Sequence, residues 1–142
     1  MIKVLPYKAQ HLDDLLKYDE VAYLRPFFSL DVRLAMEKNP YIRTVEISGE
    51  VVFVGGVTQY WPGRGEAWGF FSPSCKSHAL SMVKLIKGFL KECPIRRIEA
   101  SVEVGSLSAH RLVHVLGFNM EAPFMKAFRP DGGDCSLYSR VI

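Results

Sequence analysis

Few side chains in this sequence combine a reactive type with a suitable setting, and their spacing sorts them. His110 and His114 stand four residues apart and would share one face of a helix, as paired metal ligands do. No third ligand accompanies them, so no metal site is expected. Cys75, Cys93 and Cys135 lie far apart, with neither CxxC spacing nor histidine pairs, and imply neither a zinc site nor a disulfide framework. Cys75 also lacks a neighbouring base that would make its thiol a nucleophile. What remains is a carboxylate, Glu66, opening a strand; a phenol, Tyr138, near the C-terminal end; and the stretch Phe71-Ser72-Pro73-Ser74-Cys75-Lys76-Ser77-His78-Ala79-Leu80-Ser81, small and basic residues leading into a helix. On the residues alone, Glu66 is a surface carboxylate, His78 a solvated histidine, and Pro73-Ser74 the start of an ordinary amphipathic helix.

The elements that must carry these groups follow from periodicity. Residues 1–7 suit a strand, and 11–24 a helix that turns Leu12, Leu15, Leu16 and Tyr23 inward. Ser29 caps a short helix over 30–38, stopped by Asn39-Pro40. Residues 41–48 and 51–61 flank the turn Ser48-Gly49-Glu50 as a hairpin, and 66–71 follow as a third strand. The longest helix signal spans 76–92, with Ala79, Met82, Val83, Ile86, Phe89 and Leu90 on one face and Lys84, Lys87 and Lys91 on the solvated other. Residues 96–104 alternate as a half-buried strand. Ser106 or Ser108 then caps a helix with Ala109, Leu112, Val113 and Leu116 on one face, ended by Gly117. Residues 122–129 and 135–141 form a terminal hairpin around the turn 130–134.

This order, β-α-α-β-β-β-α-β-α-β-β, predicts an α/β (α+β) fold: a mixed, mostly antiparallel sheet of about seven strands flanked by about four helices. With 142 residues, 49% of them hydrophobic, the chain is sized for a single domain over 1–142. Its 18 basic and 15 acidic residues are scattered, net +3, so no nucleic-acid partner is expected. No apolar run reaches the roughly 18 residues of a membrane span, and the cysteine usage suits a reducing cytoplasm.

Element order and two local patterns resemble the GNAT superfamily of acyl-CoA-dependent N-acetyltransferases over essentially the whole chain. In that family a basic residue, two variable positions, glycine, one variable position, and glycine or alanine follow the central strand. Lys76, Ala79 and Ser81 occupy the basic and the two small positions, while both glycines are absent. In the second pattern Ser106, Ala109, Gly117 and Phe118 fit the helix after the fifth strand, but Val113 stands where many members carry a tyrosine that protonates the departing thiolate.

The resemblance implies acetyl-CoA as acyl donor, an amine acceptor, and no metal. The strand end Phe70, Phe71 and Ser72 would meet the pantetheine arm. Lys76, Ser77, His78, Ala79, Leu80 and Ser81 would hold the pyrophosphate at a helix start, where unpaired N–H groups and the helix dipole favour anions. Ser106 would touch cofactor or substrate, or act simply as an N-cap. Glu66 would take a proton from the acceptor, and Tyr138 would stand in for the missing tyrosine. Trp61, Trp68, Phe70 and Phe71 would wall an acceptor pocket or pack the sheet. The chain is also similar to small GNAT-like proteins of bacteriophage genomes, which implies a second reading: a catalytically decayed structural, virion or host-protein-binding member. The terminal hairpin offers an exposed strand to a second copy.

Overall fold

Seven strands form: β1 (Ile2–Pro6), β2 (Ile42–Ile47), β3 (Glu50–Trp61), β4 (Arg64–Phe71), β5 (Arg97–Glu103), β6 (Asn119–Met125) and β7 (Cys135–Val141). In the computed structural model, which describes residues 1–142, they make one mixed, mostly antiparallel sheet in the order β1-β2-β3-β4-β5-β7-β6. Four α-helices, α1 (Leu12–Leu15), α2 (Leu30–Ala35), α3 (Ala79–Glu92) and α4 (Leu107–Val115), fall in the expected places between them. Two compact units are present: Met1–Thr58 with Trp68–His78, and Gln59–Ala67 with Ala79–Ile142.

In the first unit β1 pairs antiparallel with β2, and β2 with β3 across a two-residue turn in which Ser48 and Gly49 both take positive φ. Its core gathers Tyr7, Leu12, Leu15, Leu16, Ile42, Val54 and Phe70. The helix expected over 11–24 is broken: α1 is one turn, with 3-10 segments at Ala9–His11 and Asp19–Phe27 on either side. Leu12, Leu15 and Leu16 are the buried residues of this stretch, and a single turn suffices to bury them. The Arg25 guanidinium then donates to the carbonyls of Leu16, Lys17 and Tyr18, satisfying groups that a longer helix would have used. Gly56 marks a close backbone approach: a Cβ there would stand 2.0 Å from the Tyr41 carbonyl oxygen.

In the second unit the start of β4 pairs in parallel with β5, Arg64–Glu66 against Arg97–Glu99, and β5 pairs antiparallel with β7 over its full length. Ser106 caps α4 by accepting from the Ala109 N–H, and Gly117, at φ +94°, ends it. The long helix starts later than its periodicity suggested. Residues Pro73–His78 form a 3-10 segment, and α3 begins at Ala79, which is exposed rather than on the inner face; Met82 and Leu90 are the buried pair. The terminal hairpin also differs, because β6 begins at Asn119 and ends at Met125, leaving 126–134 as a loop. That loop is tied by its own polar groups: Asp134 Oδ1 accepts from the Ala127 N–H at 2.9 Å and Asp131 Oδ1 from the Gly133 N–H at 3.0 Å. These side-chain bonds brace the expected Asp-Gly-Gly turn, in which Gly132 takes φ +85° and donates its N–H to the Arg129 carbonyl at 2.9 Å.

A charged lattice crosses this unit. Buried Glu99 accepts from Arg64 (Nε 2.7 Å, Nη2 3.0 Å) and from Arg97 Nε (2.7 Å). Arg97 goes on to grip Glu121 with two bonds of 2.7 and 2.8 Å, and Ser139 donates to the same carboxylate. Glu99, otherwise a costly buried charge, is thereby paired on two sides.

Two predictions follow from this packing. Gly56→Ala must push backbone apart and is expected to destabilise by about 1–3 kcal/mol, lowering the melting temperature by roughly 3 °C per kcal/mol. Gly88→Ala, in α3 with nothing within 4 Å of the added Cβ, is expected to stabilise by about 0.5–1 kcal/mol in the same thermal scans. The Arg97 guanidinium, followed by the Ser139 hydroxyl, holds the Glu121 carboxyl down at about 2, against an ordinary 4.5. Since the folded-state value is the lower one, this pairing stabilises the protein above pH 4.5, and the contribution is lost as pH falls from there toward 2. Carbon-13 NMR titration should find the Glu121 midpoint near 2 in the native protein and nearer 4.5 in Arg97→Gln.

Candidate functional site

The part of the sequence-predicted stretch up to His78 lies in the first unit, and its geometry is set by where β4 must stop. Ser72, buried, donates its N–H to the Val52 carbonyl at 2.8 Å, while its own carbonyl accepts from the Cys75 N–H at 3.0 Å. Its hydroxyl accepts from the Ser74 N–H at 3.2 Å and donates to Glu50 Oε2 at 3.3 Å; the Ser74 hydroxyl donates to the same oxygen at 3.1 Å. Every hydrogen-bonding group of Ser72 is therefore engaged, by the loop, by β3 and by the Tyr18 hydroxyl 3.5 Å from its own. Cys75 is buried too, its thiol donating to Val52 O at 2.9 Å and pushed up in pKa by burial. It has the character of an inert, structural thiol rather than a nucleophile.

Beyond this knot the chain faces solvent. Lys76 and Ser77 are exposed, as are Ala79, Leu80 and Ser81 in the first turn of α3, with Leu80 82% exposed and His78 half-buried. Ser77 donates its hydroxyl to Ser74 O at 3.0 Å, and Lys76 has no carboxylate partner. Phe70 is buried against Phe28 and Trp68, so it serves the core; Phe71 is 42% exposed and leans on Phe53. Phe70 and Trp68 thus answer to packing, while Trp61 is exposed beneath the Arg64 guanidinium, 4.7 Å from its ring centre.

Glu66 belongs to the second unit and is more than a surface carboxylate. The Tyr60 hydroxyl donates to its Oε1 at 2.6 Å, and Ser101 Oγ donates to its Oε2 at 3.2 Å. Burial and the bond to Glu66 push the Tyr60 phenol up to about 12, so it remains a donor through neutral pH. Tyr60 and Ser101 went unforeseen. The Pro62-Gly63 turn gave a signal for the first, since a hairpin there brings residues 60 and 66 near each other. Ser101 required knowing that β5 lies beside β4.

The helix α4 carries the third group. Ser106 has the N-cap role, its hydroxyl 3.4 Å from the Ala109 N. Val113 is buried, as its place on the apolar face implied. One turn on from Ser106, His110 meets Tyr138: the hydroxyl lies 2.7 Å from Nδ1, and Nε2 lies 3.0 Å from the Val104 carbonyl. A carbonyl only accepts, so Nε2 carries the proton, Nδ1 is the acceptor, and Tyr138 donates to it. His110 therefore has a phenol for a partner, not a metal or His114. No group of three or more His, Cys, Asp or Glu side chains in the structure could hold a metal ion.

No protein-family model matches the chain, and no curated protein matches it in sequence. Solved structures do match in fold. Ard1 from Thermoplasma volcanium superposes with a TM-score of 0.80 at 12% identity, covering 99% of this chain and 97% of its own. The yncA protein of Salmonella typhimurium, solved with its cofactor acetyl-CoA, gives 0.77 at 15% identity over 99% and 94%. A GNAT-family acetyltransferase from Bacillus anthracis gives 0.66 at 17% identity, again over 99% and 94%. The chain has the GNAT fold from end to end.

Proposed function

We propose that this protein is an acetyl-CoA-dependent N-acetyltransferase acting on an amine. The observation that carries the proposal is the full-length GNAT fold, with TM-scores of 0.66–0.80 against proteins that include an acetyl-CoA complex. The residues present fit the donor. Lys76 is an exposed, unpaired cation, and small side chains at Ser77, Ala79 and Ser81 leave the start of a fourteen-residue helix open to an anion. In this reading Lys76 and the main chain of 76–81 hold the pyrophosphate. Phe71 borders the pantetheine arm, and Ser72 fixes the loop rather than touching the cofactor.

Acetyl-CoA, when bound, supplies an acyl group activated as a thioester. Glu66, with both oxygens already oriented by Tyr60 and Ser101, receives the proton of the acceptor ammonium. Tyr138, its hydroxyl aimed at His110, is the phenol available where Val113 offers none. The loss of both loop glycines and of the tyrosine at 113 favours a second reading, a phage-encoded GNAT-like chain retained as a virion component or interaction module.

Isothermal titration with acetyl-CoA and with CoA separates the two. Saturable binding is expected, weakened at least about tenfold in Lys76→Glu, a loss of ~1.4 kcal/mol. A folded protein that binds neither compound contradicts the enzyme and leaves the structural role.

A further inference from the structure

We infer that a cleft of about 640 Å³ in the first unit, lined by Asp13, Leu16, Lys17, Arg25 and Arg33, binds a ligand through a carboxylate group. Its wall holds three cations and one anion. Arg25 spends Nε and Nη2 on the carbonyls of Leu16, Lys17 and Tyr18, neutral acceptors that leave its charge unbalanced and its Nη1 group uncommitted. Arg33 directs Nη1 to Asp13 and to the Ala9 carbonyl. Its Nε is buried without a partner, and Nη2 has none either. The Nε–Nη2 edge of a guanidinium is the fork that receives two oxygens of one carboxylate side by side.

Lys17 adds charge at the rim, where its ammonium pairs with exposed Asp14 at 2.8 Å. The wall also states what kind of anion suits it. Asp13 repels a phosphate dianion more than a single carboxylate, and Leu16 adds apolar surface. The ligand class is thus a monocarboxylate with an apolar body. This site shares no residue with the 72–81 loop and stands independently of the acetyl-CoA reading.

The test is a nitrogen-15 NMR titration of the wild-type protein, without acetyl-CoA, following the arginine Nε–Hε signals. Sodium butyrate, inorganic phosphate and sodium chloride are added at matched ionic strength. Butyrate is expected to shift Arg25 and Arg33 saturably, and Lys17→Glu, a change at an exposed site, to weaken it at least about fivefold. A butyrate response no larger than that of chloride overturns the site. Saturation by phosphate with butyrate silent overturns the carboxylate assignment, and unaltered affinity in Lys17→Glu overturns the charge argument.

Discussion

The fold around the candidate site depends on the knot that stops β4 at Phe71. The Val52 carbonyl accepts from the Ser72 N–H and the Cys75 thiol, and Glu50 draws in the hydroxyls of Ser72 and Ser74. A strand ending in such a knot cannot run on, and the chain turns at once through a 3-10 segment into α3. The knot also explains a division of labour. Ser72 and Cys75, buried, spend their polar groups on the loop and on β3, while Lys76 stands exposed with no carboxylate partner.

The second unit solves a different problem, holding a usable carboxylate next to buried charge. Glu66 and Glu99 lie opposite each other in the parallel β4–β5 pair, yet their partners differ in kind. Glu99 is locked by two guanidiniums, which the Arg64 and Arg97 forks make a structural hub. Glu66 is oriented by two neutral hydroxyls, from Tyr60 and Ser101, which direct it without cancelling its charge.

Much of this was legible in the sequence because it is local. The Ser29 and Ser106 caps and the Gly117 stop depend on a few adjacent residues and appear as read, whereas the alternation of β5 is broken by Glu99, buried between Ile98 and Ala100. The element order carried the GNAT fold. What escaped depends on contacts far apart in the chain. The helix over 11–24 was cut short by Arg25 reaching back to three carbonyls, and α3 was delayed to Ala79 by the knot with Val52 and Glu50. The spacing of His110 and His114, with no third ligand, gave no partner for His110, because that partner, Tyr138, lies 28 residues away on β7.

Hydrogen exchange of the backbone amides, measured with and without saturating acetyl-CoA, tests the central claim most directly. The loop-and-helix start at 73–81 is the anion-holding part of the proposed site. Slowed exchange concentrated there, and absent in Lys76→Glu, is the predicted result. Unchanged exchange throughout, or protection confined to other segments, would contradict it.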